Sequence, residues 1–262
     1  MELTPQQLDS FNSNGFLILR NFAEKKECEA ILDIAKVHIK YKIEPIETEL
    51  GYHNHSKEYR TNVIDYSSDP HYKDNAIRRL RQVYSRDVIF KNWMENIKIR
   101  SILEQVLNDK VAITTAHHNS IMTKMTNLST ATAWHQDRRY WSFSDNNLVS
   151  VWLALDEENS QNGVLEFIPK SHKMSFGADQ FDEKEYFRDD TEKNMSLIET
   201  KVSTTLQKGD VVLFHSTLLH RANKNSTNKP KISFVYTVKG ASTKAIEGSR
   251  SDKYAEIYLD RS

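Results

Sequence analysis

The amino-acid sequence predicts a mainly β protein with flanking helices (α+β), arranged as a double-sheet barrel of the jelly-roll or cupin type. Two observations lead to this fold class. The first third of the 262-residue chain carries apolar residues at helical spacing, and the remainder carries at least seven short β-prone runs separated by turns. We expect a single domain over residues 1–262, in which a helical N-terminal third, residues 1–110, packs on a barrel of about 111–240.

The N-terminal elements follow from local signals. Residues 4–7 read Thr-Pro-Gln-Gln, which is an N-cap, a proline suited to the first helical turn and a capping-box glutamine. Asn14-Gly15 ends this helix. The apolar run 16–19 is predicted to be a short buried strand, and helical spacing predicts a second helix over 24–40.

A polar stretch over residues 43–74 shows little periodicity and is predicted to be a long surface loop. Loops of this length are usually lids or binding loops, or else disordered. Residues 75–107 return to helical spacing, with Ile77 and Leu80 on the apolar face. We expect the polar stretch, together with segment 174–200, to cover the mouth of the barrel and to be the most mobile when no substrate is bound.

Short β-prone runs fill the rest of the chain, and Asn162-Gly163 and Lys208-Gly209-Asp210 are turn signals between them. The predicted strands are 111–116, 119–124, 148–155, 164–168, 202–206, 210–214 and 232–238.

Composition narrows the class of protein. Lys plus Arg and Asp plus Glu both total 36, and this zero formal charge argues against a nucleic-acid-binding protein. Cys28 is the only cysteine, which excludes an internal disulfide framework and is consistent with a reducing compartment. Neither a signal-peptide pattern nor an apolar run of transmembrane length is found. We therefore expect a cytoplasmic enzyme or binding protein whose partner is a small molecule.

One short motif indicates a metal site. His135 and Asp137 are two residues apart, so in an extended segment their side chains point to the same side. A further histidine is available downstream in segment 209–220, which contains His215 and His220. Two imidazoles and one carboxylate are the ligands of iron(II) oxygenases, and they leave positions open for a cosubstrate and O₂. A structural zinc site would usually need more cysteines than Cys28.

Several blocks of the chain resemble the phytanoyl-CoA dioxygenase family of 2-oxoglutarate oxygenases. They are Trp134-His135-Gln136-Asp137, the strand 151–156 with the turn 162–173 that follows it, and the segment from Gly209 through His220 to Asn225-Ser226. The opening, Leu3 to Leu19, is also similar to that of the family. The resemblance implies a double-stranded β-helix and hydroxylation of a C–H bond by Fe(II), 2-oxoglutarate and O₂, with release of succinate and CO₂. Ascorbate is a candidate reductant.

The same resemblance implies that His135, Asp137 and His220 are the catalytic metal ligands. His215 competes with His220 for the distal position. In the family a basic residue lies eleven positions after the distal ligand, and Lys231 stands there when His220 is the ligand, whereas Ser226 stands there for His215. His172, in the turn block, is expected to be structural.

Lys231 occupies the position where the family has an arginine that binds the far carboxylate of 2-oxoglutarate. We expect Lys231 to replace it, with Arg221 as the alternative and a different oxo acid, or none, as the remaining possibility. The resemblance also assigns Lys124 and Trp152 to the cosubstrate pocket, although Trp152 fits ordinary core packing equally well. The retained Asp137 argues against a halogenase.

Cations near the site suggest an anionic substrate, such as a carboxylate, a phosphorylated metabolite or an acidic sugar of the lipopolysaccharide kind. Arg138 and Arg139 follow the Asp137 ligand directly and are the candidate substrate-binding residues. Further cations are Arg78, Arg79, Arg81 and Arg86 on the predicted helix, and His53, His55 and Arg60 in the polar stretch. The first three, Arg78, Arg79 and Arg81, would also suit the solvated face of a helix. The alternative function is a non-catalytic, cupin-like metal-binding or sensing protein.

Overall fold

The computed structural model describes residues 1–54 and 76–259. The helices are α1 Pro5–Asn14, α2 Lys25–Lys40, α3 Glu49–Asn54, α4 Val88–Met94, α5 Ile97–Leu107 and α6 Glu192–Ile198. The strands are β1 Phe16–Leu19, β2 Ile46–Thr48, β3 Ile77–Arg81, β4 Val111–Lys124, β5 Thr132–His135, β6 Leu148–Ala154, β7 Leu165–Phe167, β8 Val202–Ser203, β9 Val211–His215, β10 His220–Ala222, β11 Lys231–Gly240 and β12 Glu256–Tyr258.

These strands pair antiparallel in two sheets. The larger sheet has eight strands in the order β1-β9-β6-β11-β4-β3-β2, with β12 also paired to β4. The smaller sheet has the order β5-β10-β7-β8. The chain is thus mainly β with flanking helices, as the sequence predicts.

Apolar side chains fill both sides of the larger sheet. Between the sheets, Phe214 of β9 packs on Phe167 of β7 with ring centroids 5.5 Å apart, and Trp152 belongs to the same cluster. On the other face, α2, α4 and α5 bury residues such as Ile31 and Phe90 against the sheet. Each such side chain contributes about 1.5–3 kcal/mol on burial, so the packing of the helices stabilises the outer face of the larger sheet. The face between the two sheets remains available for a site.

The N-terminal helix begins and ends where the sequence predicts. Thr4 Oγ1 accepts a hydrogen bond from the backbone N–H of Gln7, whose side chain accepts one from Thr4 N–H. Gly15 ends α1 with φ at 83°, and a Cβ at this position would lie 2.5 Å from Nδ1 of His172. A glycine is therefore needed here for conformation and for space.

The prediction of helix throughout 75–107 is wrong at its start, because residues 77–81 form strand β3 between β2 and β4. Ile77 and Leu80 are both buried there, and their spacing of three residues imitates a helix. A 3-10 turn at Val83–Ser85 follows the strand, and the helices α4 and α5 occupy most of the remainder of the range. The predicted loop 43–74 also contains β2 and α3, and its residues from 55 onward lie outside the described residues.

Strand β4 is one long strand with an irregularity in the middle. Its pairing with β11 passes from Asn119 opposite Tyr236 directly to Thr114 opposite Thr237, so residues 115–118 bulge out of the ladder. The predicted gap between strands 111–116 and 119–124 falls within this bulge.

The division of the chain differs from the one predicted. Strands β1, β2 and β3, from the mainly helical range 1–110, belong to the larger sheet; β1 was predicted as a strand, whereas β2 and β3 were not. That residues 1–262 form one domain stays a prediction. Among the residues that the structure covers, no helix has both the length and the apolar character required to cross a bilayer.

Candidate metal centre and its cavity

His135, Asp137 and His220 meet in the smaller sheet. His135 ends β5, His220 begins β10, and the two residues are direct cross-strand partners. Asp137 begins the 3-10 turn Asp137–Tyr140. Its Oδ1 atom lies 3.6 Å from His135 Nε2 and 3.8 Å from His220 Nε2, and one donor atom of each residue lies within 4.8 Å of the others. The structure thus brings together the three predicted metal ligands.

Backbone carbonyls orient both imidazoles. His135 Nδ1 lies 2.8 Å from the carbonyl oxygen of Ala133. His220 Nδ1 lies 3.0 Å from the carbonyl oxygen of Leu218. Because a carbonyl only accepts hydrogen bonds, each Nδ1 carries the proton and each Nε2 lone pair is directed toward Asp137. Burial and the nearby His135 ring lower the pKa of His220 to about 3, so this imidazole is neutral.

The carboxylate of Asp137 is buried and ionised. Burial opposes its ionisation, but the neighbouring His118, His220 and His135 together hold the pKa of Asp137 well below its usual range. Two imidazole lone pairs and one carboxylate therefore converge on one point, a donor set that suits a divalent metal ion and leaves coordination positions open.

Asp137 has two further contacts, with residues that were not predicted from the sequence. His118 Nε2 lies 3.0 Å from Asp137 Oδ1, and Ser150 Oγ donates to Asp137 Oδ2 at 3.2 Å. His118 reaches the site because it lies in the β4 bulge. The sequence signal for it is a pair of histidines, His117-His118, that interrupts a β-prone run.

The competing histidines lie elsewhere. His215 Nδ1 lies 2.8 Å from Thr217 Oγ1, and burial with the nearby His172 lowers the pKa of His215 to about 4. His172 Nε2 lies 3.2 Å from the carbonyl oxygen of Asn12, next to the end of α1. Neither belongs to the group of possible metal ligands found among residues 1–54 and 76–259.

A cavity of about 150 Å³ extends from the three donors into the space between the sheets. Lys124, Trp152 and Lys231, which were predicted to bind the cosubstrate, line it. Lys124 on β4 and Lys231 on β11 are direct cross-strand partners. The structure therefore brings the predicted cosubstrate residues to the same cavity as the predicted metal ligands.

Lys231 already has an ionic partner that the sequence did not indicate. Its Nζ lies 2.9 Å from Oε2 of Glu158, and both side chains are almost fully buried. Glu158 Oε1 also accepts from Ser233 Oγ at 2.7 Å and from Trp152 Nε1 at 3.0 Å. Lys124 instead donates to the carbonyl oxygens of Thr130 at 2.6 Å and Ala222 at 3.5 Å.

The surroundings of Lys124 disfavour its charge. Burial, followed by the positive charges of Arg78 and Lys231, lowers the pKa of Lys124 to about 6. Arg221, the alternative anchor, lines the cavity but its Nε lies 2.5 Å from Oε2 of Glu166.

Arg138 and Arg139, the predicted substrate-binding residues, do not line the cavity. Arg138 donates to backbone carbonyls, including that of Phe143 at 2.8 Å, and so stabilises its own loop. Arg139 forms an ion pair with Glu185 and stacks over the ring of Phe181 at 3.6 Å. The geometry gives their predicted substrate role no support.

The arginines of residues 78–86 are not the solvated face of a helix. Arg78 is 3% exposed and pairs with Glu49 at 2.8 Å, and Arg81 pairs with the fully buried Glu47 at 2.5 Å. The described cations that line the cavity are Arg78, Arg79, Arg81, Lys124, Arg221, Lys231 and Arg250. Arg86 lies elsewhere and donates to backbone carbonyls. His55, Arg60 and the side chain of His53 fall outside the described residues.

With this geometry in place, comparison with known proteins identifies the family. Residues 11–233 match the phytanoyl-CoA dioxygenase (PhyH) family model. The chain belongs to this family. The resemblance read from the sequence is thereby confirmed, and so is the class of enzyme, a dioxygenase.

Individual relatives are distant. The phytanoyl-CoA dioxygenase domain-containing protein 1 homolog of Caenorhabditis elegans is 22% identical over 206 residues, which cover 72% of this chain and 69% of that protein. The peroxisomal phytanoyl-CoA dioxygenase of Homo sapiens is 31% identical over 101 residues, covering 36% of this chain and 29% of the human protein. The matched segment thus spans less than a third of the human relative.

A solved structure shares the fold. The epimerase SnoN in complex with Fe3+, alpha ketoglutarate and nogalamycin RO superposes with a TM-score of 0.69 at 16% identity, covering 92% of this chain and 84% of SnoN. The jelly-roll fold predicted from the sequence is confirmed.

Proposed function

We propose that this member of the dioxygenase family uses Fe(II), 2-oxoglutarate and O₂ to hydroxylate a C–H bond of a small anionic substrate. The observation that supports it most directly is the convergence of His135, Asp137 and His220 on one point of the cavity wall. Family membership and the SnoN complex, which contains iron and alpha ketoglutarate, support the cofactors.

The residues present fit an iron ion. His135 and His220 each offer an Nε2 lone pair whose direction is fixed by the hydrogen bond at Nδ1, and Asp137 offers the charge. When bound, Fe(II) with 2-oxoglutarate would supply O₂ activation and hydroxylation, with release of succinate and CO₂. Ser150, through Oδ2, and His118, through Oδ1, would keep the carboxylate of Asp137 in place beside the ion.

The charge of the cavity supports an anionic substrate. Among the described residues that line the cavity, Glu47 and Asp137 are acidic and seven are basic, of which one, Lys124, has its pKa lowered to about 6 by burial. Buried glutamates behind the wall, such as Glu49 and Glu158, offset some of this excess. A bound divalent ion adds to the positive potential. Carboxylates, phosphorylated metabolites and acidic sugars, including those of lipopolysaccharide, are therefore the substrates to test first.

Succinate formation tests the proposal. Purified protein with Fe(II), ascorbate and 2-oxoglutarate should release succinate, and the correct anionic substrate should increase the rate. His220→Ala should abolish this release because it removes a ligand, whereas the matched variant His215→Ala should retain it. Activity that survives His220→Ala and disappears in His215→Ala would overturn the assignment of the distal ligand.

One observation favours a second candidate, a metal-binding or sensing protein without turnover. The cation expected to anchor 2-oxoglutarate, Lys231, is neutralised by Glu158. Such a protein would bind the metal through the same three residues but would form no succinate with any substrate.

A further inference from the structure

A carboxylate-binding cradle lies behind the part of the cavity wall that Lys231 and Trp152 form. An ammonium group, a hydroxyl and an indole N–H, from Lys231, Ser233 and Trp152, converge on one carboxylate. Three donors including a cation are what a protein needs to hold a carboxylate away from water. The carboxylate in this cradle belongs to the chain itself, at Glu158.

Glu158 is a fixed occupant. Its side chain is 0% exposed, and its backbone N–H and carbonyl both bond to Leu206 at 2.9 Å. These two bonds form a bridge just beyond the end of β6 and hold the residue at the back of the cradle. The side chain therefore stays beside Lys231 without movement of any surface segment.

This position determines the charge that an incoming ligand meets. A 2-oxo acid bound at the predicted metal site with a second carboxylate at its far end would need a cation elsewhere on the cavity wall. Lys231 lines the same cavity as the three donors, but the charge of Glu158 cancels that of Lys231. A 2-oxo acid without a far carboxylate has no such requirement.

We propose that Glu158 is the residue that determines selectivity among 2-oxo acids, by competing with the far carboxylate of a dicarboxylic acid for Lys231, which lines the cavity. Glu158 thus weakens binding of 2-oxoglutarate and leaves binding of a monocarboxylic 2-oxo acid unaffected. This inference rests on the proposed function, since it takes the three donors as the place where the oxo acid and the metal meet.

Glu158→Gln tests the inference with little change in shape. The amide oxygen still accepts from Ser233 and Trp152, but Lys231 is released for the ligand. A charge-assisted hydrogen bond regained by the far carboxylate should tighten 2-oxoglutarate binding roughly ten- to a hundred-fold. Binding is measured by anaerobic calorimetric titration of 2-oxoglutarate, and separately of pyruvate, into the Fe(II)-loaded protein.

Glu157→Gln is the matched control, because it is the same substitution at the preceding, exposed position. We expect unchanged affinity for both acids in this variant, and unchanged pyruvate affinity in Glu158→Gln. Unchanged or weaker 2-oxoglutarate binding in Glu158→Gln would overturn the inference and would make Glu158 a residue that only positions Lys231. Equal tightening of both acids would overturn it too.

Two further measurements keep the outcomes distinct. If Glu158→Gln fails to fold, Glu158→Asp withdraws the carboxylate from Lys231 and should tighten 2-oxoglutarate binding to a smaller extent; no tightening would count against the inference. Metal binding is titrated first in each protein. If the wild type binds Fe(II) but neither acid, the proposed function fails together with the inference. If the wild type and Glu158→Gln bind 2-oxoglutarate with equal affinity, only the inference is contradicted.

Discussion

Lys231→Met should destabilise the fold strongly, because it leaves the carboxylate of Glu158 buried without its cation. The two groups are 2.9 Å apart, with side-chain exposures of 3% and 0%. Breaking a buried ion pair by removing one partner costs about 3–5 kcal/mol. For a chain of this size roughly 2–4 °C are lost per kcal/mol, so the melting temperature should fall by about 6–20 °C.

Thermal and urea unfolding followed by circular dichroism measure this loss. The double variant Lys231→Met/Glu158→Gln should recover much of it, because the remaining amide keeps its bonds to Ser233 and Trp152 without a buried charge. Lys229→Met, two residues away and exposed, is the control and should leave the melting temperature unchanged. A loss below about 1 kcal/mol in the single variant, or no recovery in the double variant, would refute the reasoning.

Four other outcomes are expected. Fe(II) at about a hundred times its dissociation constant should stabilise the wild type by about 2.7 kcal/mol, which is measured as a rise in melting temperature. Asp137→Ala should abolish this rise and His215→Ala should keep it; the reverse pattern would contradict the ligand set. The pKa of Lys124 is about 6 in the fold against 10.5 for the free side chain, so the unfolded chain binds more protons between these values. Raising the pH from about 6 to 9 should therefore stabilise the wild type relative to Lys124→Met, by up to about 1.4 kcal/mol per pH unit in urea unfolding, and a constant difference would count against the shift. Cys28 is fully buried, which raises its pKa to about 11, so thiol reagents should modify it only through unfolding; rapid labelling of the native protein would be inconsistent with this. In hydrogen exchange without substrate, segment 174–200 should be less protected than β4 and β11, and equal protection would contradict its predicted mobility.

The elements of the fold that the sequence predicts correctly depend on local chemistry. The start of α1 needs only the side chains of Thr4 and Gln7, and its end needs only Gly15. The spacing of His135 and Asp137 likewise defines a chelating pair before any tertiary contact is known.

The features that the sequence does not predict depend on partners far along the chain. From the sequence, Arg78 and Arg81 suit the solvated face of a helix. In the structure they lie on a strand, where Glu49 and Glu47 neutralise their charges. Glu158 resembles other acidic residues of a turn, and its pairing with a lysine 73 positions away follows only from the sheet register. Charged residues buried in pairs mask the apolar pattern on which prediction relies.

The bulge of β4 has a consequence for how this protein can be altered. Residues 115–118 lie outside the ladder with β11, while the paired residues on either side keep their register. Adding or removing a residue there would change the length of one cavity wall without shifting the pairs with β11 on either side, provided that His118 keeps its contact with Asp137. The length of this short segment, as well as its side chains, can therefore be varied to adapt the cavity to substrates of a different size.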